Sequence, residues 1–474
     1  MADWPRLLID IAIVLLLTAG IWQFRTRRSA RRGNLTGALA LAAAVGVALW
    51  RDPISAVALV AAAFAAGGLL GWAVALRVDM VQIPAMVAFQ HGCGGVAAAL
   101  VSYVELARGA EALPVVGRTS GLLGLVIGAA TFSASMVAAG KLSGRLKGTP
   151  LVLHFHNGVL AVLVVLALGA AAAVAALAGV PIHLLLIALS LLSVALGVVF
   201  AVRIGGADMP VLISFLNATA GFAAALVGVV IENRLLIACG ATVAASGSIL
   251  TMVMCKAMNR RLLNVFIGLK RAAAPGLSEQ PAGAAEEALP DATGSPAPAR
   301  LAPADPFGYA ADLMRAARSV VIIPGYGMAL AHAQFEVVGL ADRLARGGAD
   351  VLFAVHPVAG RMPGHMHVLL AEADVDPDAL YEMNQVNDRL KDTDLALVVG
   401  ACDVVNPAAV TTTGTPISGM PILLAHEARR VIVFNLDDRP GYSGVENPLY
   451  DDPRTLLLLG DAKSTVAEVR RRLG

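Results

Sequence analysis

The chain has 474 residues, of which 57% are apolar and 15% are charged, against about 25% charged residues in an ordinary soluble protein. The apolar excess lies in residues 1–271, whereas residues 307–474 have the composition of a soluble domain. This division excludes a purely soluble enzyme, a purely membrane-embedded protein and a largely disordered chain. The net charge of +2 and the lack of basic blocks interleaved with aromatic residues predict no nucleic-acid partner.

The four cysteines, Cys93, Cys239, Cys255 and Cys402, form no CxxC pair. This pattern predicts reduced thiols rather than a disulfide framework or a zinc site. No other spacing of ligand residues indicates a metal site, so we expect none.

Nine apolar segments approach or exceed the about 20 residues that cross about 30 Å of hydrocarbon. They are residues 7–24, 35–50, 54–76, 84–104, 119–139, 152–178, 182–202, 209–231 and 235–257, each within about two residues. The second segment is short. The alanine- and glycine-rich run from Ala61 to Gly71 predicts close helix packing, because small residues let helix backbones approach in lipid.

Basic residues in the connections predict the orientation of these segments. One set of alternate connections carries 15 lysines and arginines, and the other set carries 5. The basic side of a membrane protein faces the cytoplasm. Nine spans therefore predict an N-terminus outside and a C-terminal domain in the cytoplasm, and a different count would spoil the alternation.

Polar residues at membrane depth are candidates for a proton path, since burying them in lipid is costly. His91 is the strongest candidate because imidazole titrates near neutral pH. Ser135 and Asn217 can bridge a water chain to it, and Asp208 stands at a helix entrance. The alternatives are a neutral histidine bonded to a backbone carbonyl, ordinary helix–helix hydrogen bonds and a solvated loop carboxylate.

Residues 272–306 are rich in Ala, Gly, Pro and acidic residues and contain seven prolines. Such a segment predicts a flexible tether between a membrane domain, 1–271, and a cytoplasmic domain, 307–474. The cytoplasmic domain alternates apolar strands with helical stretches, which predicts a Rossmann-like α/β domain with a parallel sheet. The predicted strands are 319–323, 351–355, 395–399, 431–434 and 456–459.

The first predicted strand runs into Gly325-Tyr326-Gly327, a GxG opening before a helix. Glycine permits a tight turn and lets the backbone reach a pyrophosphate. Later clusters follow other strands, and in them Arg361 can clamp a phosphate and Asp403 can orient an amide or a ribose. Each is also an ordinary loop residue when taken alone. No nucleophile–base pair stands out, so the domain is predicted to hold one dinucleotide rather than to hydrolyse a substrate.

These motifs, in their order, resemble a known family. They are His91, 204–210 (IGGADMP), 254–260 (MCKAMNR), 324–329 (PGYGMA), 356–365 (HPVAGRMPGH), 400–408 (GACDVVNPA), 419–421 (GMP), 441–442 (GY) and 460–463 (GDAK). The chain resembles, over nearly its whole length, the beta subunit of the proton-translocating nicotinamide nucleotide transhydrogenases.

The resemblance implies a Re/Si-specific transhydrogenase of the bacterial inner membrane, in which an alpha subunit carries the NAD(H)-binding domain. It implies that hydride passes from NADH to NADP⁺ as protons move inward, and that two alpha–beta units form a dimer. It places His91, Ser135 and Asn217 on the proton path. It implies that NADP(H) contacts Tyr326, Val358, Ala359, Gly360, Arg361, Met362, Pro363, Gly400, Ala401, Cys402, Asp403, Val404, Gly419, Met420, Gly441, Tyr442, Asp461 and Ala462.

One stretch departs from the family. Where relatives commonly have a Lys-Arg-Ser run that holds the 2′-phosphate, this chain reads Asn435-Leu436-Asp437-Asp438. Acidic groups favour a free ribose hydroxyl over a phosphate. Two features favour a 2′-phosphate instead. The second strand ends in His356, with no carboxylate placed to bind a ribose hydroxyl, and Arg439 directly follows the acidic residues and can reach the phosphate. The resemblance still implies NADP.

Hydride transfer requires positioning and needs no acid or base from the protein. Protonation of His91 is therefore expected to act through conformation, by changing how the nucleotide domain binds or docks. Two other functions fit the same organisation: a membrane-tethered NAD(P)-dependent oxidoreductase without proton coupling, and a transporter gated by nucleotide binding.

Overall fold

The computed structural model describes residues 4–23, 27–51, 56–109, 113–147, 150–151, 153–176, 181–205, 208–258, 262–267, 303–360, 364–413, 415, 417–441 and 443–474. The chain divides into two compact units, Met1–Ile204 with Val211–Thr251 and Gly205–Pro210 with Met252–Gly474. The tether expected at 272–306 lies outside the described residues except for its last four. Its flexibility and the three-domain division stay predictions.

The described membrane half contains nine helices that are long and apolar enough to span a bilayer. They are α1 (Trp4–Gln23), α2 (Arg27–Arg51), α3 (Val57–Ala75), α4 (Ile83–Gly109), α5 (Val115–Leu142), α6 (His156–Ala176), α7 (Ile182–Val202), α8 (Met209–Val230) and α9 (Arg234–Ala257). Each corresponds to one predicted segment. Helix α2 is longer than expected and includes Arg31 and Arg32, because arginine favours helix and its long side chain can reach the headgroups.

Helix α5 is the centre of the packing, since it contacts both α4 and α7. Leu106, Leu125, Leu186 and Leu189 from these three helices form a buried cluster. Helix α3 behaves differently, because none of its residues is buried and a Cβ added at Gly67, Gly68 or Gly71 would have no atom within 4 Å. The prediction of close helix packing at Ala61–Gly71 is therefore wrong for the single chain.

The four tryptophans of the chain are exposed and lie near the ends of the first three helices. Trp4 and Trp50 lie at one end of the α1–α2 hairpin, and Trp22 lies at the other end. Trp72 lies near the end of α3. Tryptophan collects at membrane–water interfaces, so these positions are typical of membrane spans.

Polar bonds close the α1–α2 hairpin at both ends. The guanidinium of Arg51 donates from Nη1 to Oδ1 of Asp10 at 2.7 Å, and both side chains are largely buried. At the opposite end, the hydroxyl of Thr36 donates to Oε1 of Gln23 at 3.1 Å. The ion pair and this hydrogen bond both help to set the register of the two helices.

The second unit contains a short helix, α10 (Leu262–Ile267), and the predicted α/β domain. The strands are β1 (Ser319–Pro324), β2 (Asp350–Val355), β3 (Leu380–Glu382), β4 (Leu395–Val399), β5 (Arg430–Asn435) and β6 (Thr455–Leu459). The helices are α11 (Pro306–Ala316), α12 (Tyr326–Leu330), α13 (Gln334–Arg346), α14 (His365–Glu372), α15 (Met383–Leu390), α16 (Ala408–Thr411) and α17 (Ala462–Arg472). The five expected strands are confirmed, and β3 was missed because three residues are too short to show a period.

The six strands form one parallel sheet in the order β3-β2-β1-β4-β5-β6. Strands β1, β4 and β5 are buried on both faces, which explains their continuous apolar runs. The chain order reverses between β1 and β4. At such a switch point a crevice opens beyond the carboxyl ends of the strands, where doubly wound folds bind nucleotides. The predicted fold class is confirmed.

We expect Asp10→Asn to destabilise the membrane half by about 1.5–3 kcal/mol, because it leaves the largely buried guanidinium of Arg51 without its anion. Thermal unfolding in detergent measures the loss. The matched control is Glu105→Gln, since Glu105 pairs with an exposed Arg108 at 3.4 Å. Equal effects of the two changes would show that the Asp10 pair contributes no more than a surface pair.

Candidate functional site

Helices α4 and α5 meet along small residues. A Cβ added at Gly95 would lie 2.8 Å from the backbone oxygen of Gly128, and one added at Gly128 would lie 2.6 Å from the backbone oxygen of Gly95. Both distances are shorter than real Cβ contacts allow. The two backbones therefore touch, and only glycine fits at either position.

The strongest membrane candidates, His91 and Ser135, lie beside this contact. Gly92, next to His91, faces α5, where an added Cβ would lie 3.1 Å from Cβ of Ser135. His91 is half-buried and Ser135 is fully buried. Nδ1 of His91 and Oγ of Ser135 are both shielded from solvent and have no hydrogen-bond partner among the described residues.

Some other buried hydroxyls in the membrane half bond to their own helices, although the buried hydroxyl of Ser102 on α4 also has no partner among the described residues. The hydroxyl of Ser193 donates to the carbonyl of Leu189 at 2.7 Å, and that of Thr251 donates to the carbonyl of Gly247 at 2.8 Å. A buried polar group without a partner is costly, and such groups often mark a catalytic role or a bound water. The two unpartnered atoms beside the α4–α5 contact are therefore candidates for such a role, which stays a prediction.

Asn217 and Asp208 are placed differently. Thr131 on α5 donates its hydroxyl to Thr219 on α8 at 3.0 Å. Two residues turn a helix by about 200°, so Asn217 projects from the side of α8 opposite to Thr219. Asp208 is half-buried and directly precedes α8. The described contacts place Gly92, the neighbour of His91 in the chain, against Ser135. The roles of all four candidates stay predictions.

In the α/β domain, the turns after β1 and β4 touch backbone to backbone. A Cβ added at Gly325 would lie 2.5 Å from the backbone nitrogen of Ala401, and one at Gly327 would lie 2.7 Å from Cα of Gly400. Gly400 has a φ of +65°, which favours glycine. The three glycines therefore close the base of the switch-point crevice.

Hydrogen bonds occupy the amides of these turns. Gly325 donates its N–H to the carbonyl of Val399 and Gly327 donates to Gly400, both at 2.8 Å. Gly400 donates to the carbonyl of Phe434, also at 2.8 Å. The contact between turns accounts for the GxG glycines by itself, and their approach to a pyrophosphate stays a prediction.

His356, at the end of β2, links two loops. Its Nε2 donates to the carbonyl of Pro421 at 2.8 Å, and its Nδ1 accepts the N–H of Val358 at 3.2 Å. Burial lowers the pKa of His356 to about 4. The ring is therefore neutral at physiological pH, and it ties the loop after β2 to the segment that carries Gly419 and Met420.

Asp403, after β4, is fixed by the loop that follows β5. Its carboxylate accepts hydrogen bonds from the hydroxyl of Ser443 at 2.5 Å and from the N–H of Ser443 at 3.1 Å. A Cβ added at Gly441 would lie 3.0 Å from the same carboxylate. Sequence reasoning missed Ser443, whose only signal was its place two residues after Gly441.

Asn435, the last residue of β5, is also a structural link. Its Nδ2 donates to the carbonyl of Ala401 at 3.1 Å and to the hydroxyl of Tyr450 at 2.6 Å, while its buried Oδ1 has no partner among the described residues. Burial raises the pKa of the Tyr450 hydroxyl and of the Cys402 thiol. Both groups therefore stay protonated, and Cys402 is a poor nucleophile.

The acidic run after β5 forms an exposed turn. Oδ1 of Asp437 accepts the N–H of Arg439 at 3.1 Å, but the guanidinium Nε lies 3.9 Å from Oδ2 of Asp437. The side chain of Arg439 is 83% exposed. Arg439 therefore remains available to an anion, with the Asp437 carboxylate close by as a competitor.

Asp461 acts as the N-cap of α17, where its Oδ1 accepts the N–H of Ser464 at 3.0 Å and the hydroxyl at 2.8 Å. These hydrogen bonds lower the pKa of Asp461. The other expected binding positions lie on turns at the same edge or beside them: Tyr326, Val358, Ala359, Gly360, Ala401, Cys402, Val404, Gly419, Met420, Gly441 and Ala462. Arg361, Met362, Pro363 and Tyr442 lie outside the described residues.

Comparison with known proteins agrees with this arrangement. A family model for the NAD(P) transhydrogenase beta subunit matches residues 7–472. The chain belongs to this family. It is 41% identical over 448 residues to the NAD(P) transhydrogenase subunit beta of Rhodospirillum rubrum, covering 93% of each chain, and a second sequence from a strain of that species matches equally. The resemblance read from the motifs is confirmed, and family membership together with nine apolar helices in the described residues makes this a membrane protein.

We expect Gly400→Ala to cost more than about 4 kcal/mol, because the new Cβ would overlap the backbone of Met328 as well as strain the left-handed φ. Gly444→Ala is the matched control, since Gly444 has a φ of +70° but no atom within 4 Å. Strain alone costs about 1–2 kcal/mol there. Thermal unfolding of the full chain measures both, and equal losses would contradict the contact.

We expect the α/β domain to lose stability as the pH falls from about 6.5 to about 4, by up to about 3 kcal/mol, through His356 alone. The unfolded chain binds a proton in this window and the folded chain does not. Above about pH 7 both forms are neutral and the contribution vanishes. The denaturant midpoint, followed by infrared strand absorption, measures the slope.

His356→Asn should flatten this pH dependence. His332→Asn, at an exposed histidine, should leave it unchanged. An unchanged slope in His356→Asn would show that another group titrates in this window.

Proposed function

We propose that this chain holds NADP(H) and contributes part of a proton path in a Re/Si-specific transhydrogenase, which transfers hydride between NADH and NADP⁺ coupled to proton translocation. One observation carries the proposal. The relative named NAD(P) transhydrogenase subunit beta matches 93% of this chain, so both the membrane half and the α/β domain are shared.

The carboxyl edge of the sheet fits a dinucleotide. The glycine turns at the switch point leave its crevice lined by backbone, and the buried Oδ1 of Asn435 is an acceptor that still lacks a donor among the described residues. When bound, the nicotinamide ring supplies the centre that accepts or gives hydride. The residues at this edge bind and orient it, and the second nucleotide, NAD(H), is held by an alpha subunit.

The same edge offers little acid–base chemistry, which favours direct hydride transfer. Both nitrogens of His356 are engaged, and the carboxylate of Asp403 is held by Ser443. The Cys402 thiol and the Tyr450 hydroxyl keep their protons. A tethered dehydrogenase acting on an alcohol or a hydroxy acid needs a free acid or base near the nicotinamide. None of these four groups is poised for that role.

Protons act in the membrane half under this proposal. Nδ1 of His91 and Oγ of Ser135 are each buried without a partner among the described residues, which suits groups that exchange protons with a transient partner. Protonation then shifts the balance between two arrangements of the helices, and a coupling of about 1–3 kcal/mol is sufficient to change nucleotide affinity. Asn217 and Asp208 are further candidates for the path or for the coupling.

The same proposal assigns the surroundings of the chain. The N-terminus lies outside and the α/β domain in the cytoplasm, in a bacterial inner membrane, because basic residues collect in one set of connections. Residues 1–271, 272–306 and 307–474 serve as membrane domain, tether and nucleotide domain. The partner is an alpha subunit, and two alpha–beta units form a dimer.

We expect His91→Asn to lower the rate of proton-linked NADP⁺ reduction by NADH about 100-fold, because asparagine does not titrate near neutral pH. The assay uses sealed vesicles that contain the chain with its alpha subunit. The control His154→Asn, at an exposed histidine before α6, should keep the wild-type rate. Normal proton-linked activity in His91→Asn would falsify the role of His91.

We expect Arg439→Ala to raise the dissociation constant for NADP⁺ about 10-fold and to leave that for NAD⁺ nearly unchanged, since charged hydrogen bonds contribute about 1.5–3 kcal/mol. Calorimetric titration of the full chain measures both constants. Arg346→Ala, at the exposed end of α13, is the control. Tighter wild-type binding of NAD⁺ than of NADP⁺ would contradict the cofactor assignment.

A further inference from the structure

A buried lysine joins α5 to the end of α7. Lys141 lies in the last turn of α5 and is 7% exposed. Its Nζ donates to the carbonyl of Val202 at 2.6 Å and to the carbonyl of Ile204 at 2.8 Å. Among the described residues, no carboxylate lies within ion-pair distance of this ammonium group.

The position suits a cation because the last carbonyls of a helix lack partners and carry its negative dipole end. Val202 is the last residue of α7, and its carbonyl also accepts the N–H of Leu151 at 3.0 Å. The end of α7 is therefore held by α5 and by the loop that follows α5. The ammonium group adds a second donor to the carbonyl of Val202 and supplies a donor to the carbonyl of Ile204.

A second contact also joins α5 to α7. A Cβ added at Gly197 would overlap the carbonyl of Ala130, so the two backbones also touch nearer the middle of α7. Lys141 supplies the attachment at the end. A displacement of α5 is consequently transmitted to Ile204 rather than absorbed by side-chain repacking.

The two ends of this link carry candidate functional residues. Ser135 precedes Lys141 by six residues on α5, a distance of about 9 Å along the helix axis. Ile204 begins the connector that leads, four residues later in the sequence, to Asp208 and then to α8. Lys141 thus lies between Ser135 and the start of the α7–α8 connector.

We propose that Lys141 is a positioning residue for proton coupling, which transmits movement at Ser135 through α5 to the α7–α8 connector. This inference rests on the proposed function. Lys141 touches neither nucleotide nor proton in this role, so its loss should separate proton movement from hydride transfer rather than abolish nucleotide binding.

The test measures protons moved per hydride transferred in sealed vesicles that contain the chain and its alpha subunit. We expect Lys141→Met to lower this ratio at least about 5-fold, the lower end of typical coupling between sites. NADP⁺ affinity should stay within about 2-fold of wild type, which is below typical coupling effects. Lys141→Arg keeps the charge and the donors and should restore most of the ratio. The matched control is Lys147→Met, the same change at an exposed residue of the following loop.

An unchanged ratio in Lys141→Met would overturn the inference, and so would equal loss of both activities together with a lower melting temperature, since that indicates a purely structural lysine. If Lys141→Met fails to assemble, Lys141→Gln, which keeps a donor without the charge, decides by the same ratio. Absence of any proton-linked activity in the wild type would instead contradict the proposed function itself.

Discussion

Direct contact between backbones, at positions where no side chain stands, determines the geometry of both halves of the chain. In the membrane half, Gly95 and Gly128 bring α4 and α5 together where lipid provides no hydrophobic force. In the α/β domain, Gly325 and Gly400 bring the turns after β1 and β4 together at the switch point.

Buried polar atoms without partners occur in both halves of the chain. In the membrane half, Nδ1 of His91 and Oγ of Ser135 are such atoms among the described residues. At the carboxyl edge of the sheet, His356 and Asp403 are engaged as links between loops, while Oδ1 of Asn435 lacks a donor among the described residues. The engaged groups suit positioning, and under the proposed function the unpartnered atoms are available to a transient partner.

Much of the architecture could be predicted from the sequence because the length and spacing of the apolar residues within a segment identify most of its elements. Long apolar runs identify the spans, and short buried runs with glycine at their ends identify five strands. The elements that were missed or predicted wrongly have no such pattern in the sequence. The strand at Leu380–Glu382 is too short to show a period, and α3 is rich in small residues yet packs against nothing in the single chain.

The candidate site residues also divide into those that a sequence pattern reveals and those that it does not. A histidine in a membrane span and a GxG after a strand are rare enough to stand out in a sequence. The importance of Ser443, Asn435 and Lys141, which are common residue types, lies in which distant polar group each one reaches. That information depends on long-range contacts, so no local pattern contains it.

The central claim is that this chain alone holds one of the two nucleotides. Calorimetric titration of the full-length chain in lipid nanodiscs, without an alpha subunit, tests it most directly. The account predicts saturable binding of one NADP⁺ per chain, with NADH unable to compete at similar concentrations. Failure to bind any pyridine nucleotide, or binding that appears only after an alpha subunit is added, would contradict it.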